Sequence, residues 1–334
     1  MDTFILSLFS KEDKLKPSTF YQVLSGKRTS SVLTYAFFHN LLHVSGIFPQ
    51  LTEADFNKVI QQLKKDQLLV ESEGLLSLNQ ELTCEINETN HYLTDVDFFK
   101  YGRKEAEIWR SIQFLVQVAS YLDRHQPYVP LESSPFYTER VRQFVHQHRK
   151  EMKETIYQEL VAIFSQLPAE KANLLAQTFT GFEQNGLVFF QLLPADIQQF
   201  PWSVVAMSSA THVFFKEISQ QPTFLLYQFI KPLLAQNINV SMLKTRKLFK
   251  QGYSFEEVMQ IRHLKQGTIQ DHVIEWALVA EDFPFEQFIT QQTSLAALPD
   301  DSWNFRYKDL VEQYEVSFLE IRLYQIWRKK NAWS

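Results

Sequence analysis

Residues 252–278 read GYSFEEVMQIRHLKQGTIQDHVIEWAL, and this stretch decides the fold of the C-terminal part. Ser254, followed three positions later by Glu257, has the form of a capping box, in which hydroxyl and carboxylate each satisfy a backbone N–H at a helix start. Gly252 is placed to end a preceding helix opened at Ser241. Gly267 is placed in a turn, and Thr268 with Asp271 opens the next helix. Three short helices within about 40 residues, joined by a glycine-containing turn, form the sequence pattern of a helix-turn-helix. Val258 and Ile261, with Ile269, Val273 and Trp276, recur at helical spacing and are expected to share a small core. The outer face of the last helix would then present Gln270, Asp271 and Ile274 to a major groove.

From Ser241 to Val279 there are six bases against four acids, a net +2 within a chain of net −5. Lys244, Arg246, Lys247, Lys250, Arg262 and Lys265 are the candidate phosphate contacts, and Gln270 is the candidate base-facing residue. Glu275 opposes that reading, because a carboxylate on a reading helix repels the DNA backbone. Packing of the trihelical unit against a partner or against the rest of the chain, with Ile269, Val273 and Trp276 as its core, is the alternative use. Arg262 is open to two readings, a pair with Glu257 or Glu275, or a phosphate contact. His272 is expected to be structural.

Working outward, the 334 residues are 45% hydrophobic and 21% charged, enough for a sizeable core and against global disorder. Only eight glycines but 29 phenylalanines and 13 tyrosines occur. That balance favours helix-on-helix packing, and the expected class is mainly α. Residues 1–88 read as a winged-helix-like domain: a helix ending near Gly26, another opened at Thr29 or Ser30, a third after Thr52 carrying Phe56, Val59, Ile60 and Leu63, then a hairpin through Ser72-Glu73-Gly74. Residues 89–236 read as a helical middle domain punctuated by prolines, with Pro194, Pro201, Pro222 and Pro232 cutting its later part into short helices. Residues 237–334 form the helix-turn-helix domain.

Reactive chemistry is not assembled by this sequence. Gly26-Lys27-Arg28-Thr29 lacks the upstream glycine and the Lys-Ser/Thr pair of a phosphate loop. His39 with His43, and His146 with His148, have no Cys or paired acid beside them to complete a metal site. Cys84, the single cysteine, has no adjacent base to lower its thiol pKa. The expectation is a non-enzyme without cofactor, metal or small-molecule substrate. With no secretory pattern and no long apolar run, it is expected to be cytoplasmic and without a membrane span.

The 252–278 run resembles the helix-turn-helix domain at the C-terminus of some RecQ-type DNA helicases and in YpbB-like proteins of Gram-positive bacteria. Gly252, Ser254, Glu257, Val258, Arg262, Leu264, Thr268, Ile269 and His272 carry the resemblance, and Val316 to Leu323 is similar to the family's closing segment. The GKRTSS run at 26–31 and the helix-hairpin after Thr52 are similar in layout to YpbB-like proteins. The resemblance implies a helicase-associated, non-catalytic DNA-binding accessory protein of DNA repair and metabolism, with DNA and a RecQ-type helicase as partners. It carries over no catalytic residue. An adaptor that docks protein partners without touching DNA is the alternative.

Overall fold

The computed structural model describes residues 1–10, 12–79, 90–299, 301–305 and 307–331; Cys84 lies outside them. The chain is mostly helical with one two-stranded antiparallel sheet. In order come α1 (Asp2–Ser7), α2 (Pro17–Leu24), α3 (Ser30–Phe38), α4 (Glu53–Lys65), β1 (Leu69–Ser72), β2 (Leu75–Leu78) and α5 (Asn90–Leu93). The middle holds α6 (Glu105–Tyr121), α7 (Pro135–His148), α8 (Met152–Phe164), α9 (Ala169–Ala176), α10 (Trp202–Ser219) and α11 (Leu225–Leu234). The last third holds α12 (Val240–Lys250), α13 (Phe255–Arg262), α14 (Gln266–Val279), α15 (Phe285–Phe288), α16 (Gln292–Ala296), α17 (Tyr307–Tyr314) and α18 (Phe318–Asn331). No helix among the described residues is long and apolar enough to cross a membrane.

Contacts collect into two compact units. One is Met1–Pro17 with Gly46–Ile238, and the other is Ser18–Ser45 with Asn239–Ser334. The helices α2 and α3, adjacent in sequence to α4 and the hairpin, therefore pack with the C-terminal helices.

In the first unit, Thr52 caps α4 by accepting from the Asp55 N–H, and Phe56, Ile60 and Leu63 form its buried stripe. The helix runs into the hairpin, with Leu69 opposite Leu78 and Ser72 opposite Leu75. Glu73 and Gly74 both have positive φ, 53° and 76°, which gives the tight turn a twist matching that of the strands. Leu15 exchanges two 2.8 Å backbone hydrogen bonds with Leu76, adding a third short extended segment to the hairpin edge. The middle helices α6, α8, α10 and α11 interdigitate Ile108, Ile112, Leu115, Ile156, Phe214 and Phe229 in one core. Glu159 on α8 accepts from the Leu225 and Leu226 N–H groups at 2.6 and 2.9 Å, so a carboxylate on one helix caps the start of another. Glu105 on α6 is buried and accepts from the Ser208 and Thr211 hydroxyls of α10 at 2.9 and 2.5 Å.

The expectation of short helices fails at Pro201 and holds at Pro232. After Pro201 the chain forms the 18-residue α10 rather than a short helix, because Pro201 occupies the cap position, where a missing N–H costs nothing. Pro232 lies inside α11; it removes one helical hydrogen bond, and the helix ends two residues later at Leu234.

The second unit is organised around α14. All seven residues from His272 to Leu278 are buried. Helices α3, α12, α13 and α18 surround this one helix. Lys330 Nζ donates to the Ala280 carbonyl at 2.7 Å and Lys329 Nζ to the Phe38 carbonyl, tying α18 to the end of α14 and to α3. Phe38 and Trp303 stack with centroids 5.4 Å apart.

Candidate nucleic-acid interface

The helix-turn-helix starts two residues earlier than its sequence implies. Asn239, not Ser241, caps α12: its side-chain oxygen accepts from the Ser241 and Met242 N–H groups at 3.0 and 3.2 Å. Its amide nitrogen donates to buried Glu275 at 2.7 Å, which links the start of α12 to α14. The other end behaves as read. Gly252 has φ +88°; its N–H reaches the Phe249 carbonyl and the Tyr253 N–H reaches the Leu248 carbonyl, the two bonds of a Schellman motif.

The capping box forms as expected, with Ser254 N–H to Glu257 Oε2 at 2.7 Å and Glu257 N–H to Ser254 Oγ at 3.3 Å. The turn after α13 is shorter than the sequence implied. His263 takes the left-handed conformation at φ 50°, Lys265 occupies the next cap position, and Gly267 lies in the first turn of α14 rather than in a loop. Histidine enters the left-handed region more readily than most residues, which removes the need for a glycine there. Val258 is buried as expected, whereas Ile261 is 48% exposed on the outside of α13.

Arg262 is internal. Nη1 donates to the Ser241 carbonyl at 2.8 Å and to Thr245 Oγ1 at 2.7 Å, and Nη2 donates to Ser241 Oγ at 2.9 Å. It bonds neither to Glu257 nor to Glu275 through these atoms; it clamps the end of α13 to the start of α12. Thr245 Oγ1 in turn lies 2.9 Å from His272 Nδ1.

Burial first, and then the charge of Arg262, lower the His272 pKa from its ordinary 6.5. The unfolded chain therefore binds a proton there that the fold rejects. This contribution to stability is complete above the unfolded value and is lost as pH falls below about 6.5. His43, lowered by burial in the same unit, acts in the same direction. Thermal unfolding at pH 7.5 and 5.5 is expected to show a loss on acidification that shrinks in His272→Asn. An unchanged loss in that variant would remove His272 from the account.

Helix α14 does not present the outward face that its sequence pattern suggests. Ile274 has 0% exposure, so it cannot lie on an outward reading face. Gln270 is half-buried, and Asp271, though exposed, accepts from Ser30 Oγ of α3 at 2.5 Å. The helix placed by sequence in a major groove is instead the axis of its unit. Its run VIEWAL from Val273 to Leu278, apolar on every side except for Glu275, is the signature of a helical stretch buried all round, and exposure returns at Val279.

The candidate cations divide into three groups. Arg262 serves the fold. Arg246 and Lys250 share Asp282, at 3.4 and 2.8 Å, and Arg246 also lies over the Trp276 ring at 5.6 Å. Lys244 and Lys247, on the outer face of α12, and Lys265, at the start of α14, are exposed. None of these three has an acidic partner at ion-pair distance among the described residues. No group of three or more His, Cys, Asp or Glu side chains placed to hold a metal occurs among those residues either.

Residues 241–325, which span α12 to most of α18, match a family model described as a helix-turn-helix domain. The chain is similar to Protein YpbB of Bacillus subtilis (strain 168), with 21% identity over 294 residues that cover 83% of this chain and 82% of that protein. No solved structure matches. The chain thus carries a C-terminal helix-turn-helix domain and is similar to Protein YpbB along most of its length.

Proposed function

We propose that this protein is a DNA-binding accessory protein that contributes surface rather than chemistry, and that it engages the phosphate backbone through Lys244, Lys247 and Lys265. The observation that carries the reading is the trio of exposed lysines, without acidic partners among the described residues, inside the segment that matches a helix-turn-helix domain. Base reading by α14 has no part in it. With Ile274 buried and Asp271 engaged by Ser30, the helix offers DNA only its first turn. Binding is therefore expected to be weakly selective for sequence, because phosphate contacts position a protein without informing it of the bases. Action beside a RecQ-type helicase in DNA repair is the partnership we attach to this role, on the resemblance of the 252–278 run. Such a partner would supply the strand separation that this chain's residues do not.

The test is the affinity of the full chain for duplex DNA across a range of salt concentrations. Each neutralised phosphate contributes about −0.9 to the slope of log K against log salt, so three lysines predict a slope of roughly −2 to −3. Affinity that does not respond to salt would overturn the proposal.

A further inference from the structure

A groove of about 800 Å³ opens on the first unit, between the end of α6, the length of α8, α9 and the turn through Gly181. Its floor is apolar, with Ile156, Leu160 and Phe179 among its residues. Its lip carries Tyr157 and Val161, one helical turn apart on α8 and 65% and 53% exposed. Leaving two such side chains in water beside an open apolar floor has no role in holding this unit together, since the buried stripe of α8 is Met152, Ile156, Leu160 and Ile163. The lining residues of α8 run from Lys153 to Phe164, roughly 16 Å at about 1.5 Å per residue. That length accommodates the apolar ridge of a helix laid alongside, whereas a compact small molecule on the floor would leave the lip uncovered.

The charge on the rim selects the kind of helix. Arg124 is held by its Nε bond to the Ser120 carbonyl at 2.9 Å, and its guanidinium lies 3.8 Å above the Phe182 ring. Neither Arg124 nor Lys153 has an acidic partner at ion-pair distance among the described residues. Among the lining residues the acid is Glu154, which accepts from the Gln158 amide at 2.8 Å. The rim is thus net positive, with a cation fixed in place at the α6 end. We propose that this groove docks an amphipathic helix of a partner protein whose apolar ridge is bordered by acidic residues. This site lies wholly within the first unit and is independent of the DNA reading.

The experiment is fluorescence anisotropy of the full chain with two labelled four-turn helical peptides. Both carry leucines at i, i+4, i+7 and i+11; one is bordered by glutamates and the other by lysines. The glutamate-bordered peptide is expected to bind saturably and about tenfold more tightly than its counterpart. Val161→Asp, at an exposed position that leaves folding intact, is expected to abolish binding, and Arg124→Glu with Lys153→Glu is expected to reverse the preference. Equal affinity for the two peptides, no binding of either, or unchanged affinity in Val161→Asp would overturn the proposal.

Discussion

Ile274→Arg is expected to unfold the unit built from Ser18–Ser45 and Asn239–Ser334, at a cost of more than about 4 kcal/mol. The side chain has 0% exposure on a helix enclosed by α3, α12, α13 and α18. A guanidinium there finds neither water nor a carboxylate placed to receive it. Glu275, the nearest acid along the chain, is already engaged by Asn239. Loss of near-ultraviolet circular dichroism and rapid proteolysis between residues 240 and 331 would report the collapse. The same substitution separates two accounts of the helix. If Ile274 lay on an outward reading face, an added arginine would leave the fold intact and tighten DNA binding. A folded Ile274→Arg variant with raised affinity would therefore restore α14 as a reading helix.

Trp276→Ala is expected to cost about 3–5 kcal/mol in urea unfolding followed by circular dichroism. Trp276 is 1% exposed and sits edge-on to Phe283 at 4.7 Å and to Phe288 at 6.0 Å, while Phe249 reaches Phe288 at 5.1 Å. Removing the indole leaves a cavity lined by rings that cannot shift without disturbing α12 and α15. Arg246 also loses the face over which it lies. Trp276→Phe is expected to cost only about 1–2 kcal/mol, because the buried indole Nε1 has no hydrogen-bond partner among the described residues and its loss breaks none of their bonds. Equal losses in the two variants would mean that the ring cluster contributes less than its packing implies.

The parts of the fold that depend on neighbours in sequence were legible. Ser254 with Glu257, Gly252, Thr52 and Glu73-Gly74 all act locally through one turn of backbone, and each does in the structure what its chemistry dictates. The positions that required knowledge of distant partners were not. Asn239 displaces Ser241 as a cap because Glu275, 36 residues away, fixes its amide. Arg262 has acids nearby in sequence, yet its partners are Ser241 and Thr245 on another helix. The role of α14 is hidden from the sequence for the same reason. A three-helix pattern viewed alone leaves one face of its last helix open, and the elements that cover it, α3 and α18, come from opposite ends of the chain.

The burial of α14 limits what the candidate site can do. Of the seven residues that the sequence offers for DNA, Arg262, Arg246 and Lys250 have internal or acidic partners, Gln270 is half-buried, and Lys244, Lys247 and Lys265 face solvent with no acid at ion-pair distance among the described residues. Exposure and pairing, which depend on the tertiary arrangement, made this distinction; residue type and spacing could not.

The most direct measurement compares duplex DNA affinity in two folded variants at one fixed salt concentration, the triple Lys244→Glu, Lys247→Glu, Lys265→Glu and the single Gln270→Ala. The expected result is loss of binding in the triple variant and wild-type affinity in Gln270→Ala. Full affinity in the triple variant, or loss confined to Gln270→Ala, would contradict binding through the outer lysines.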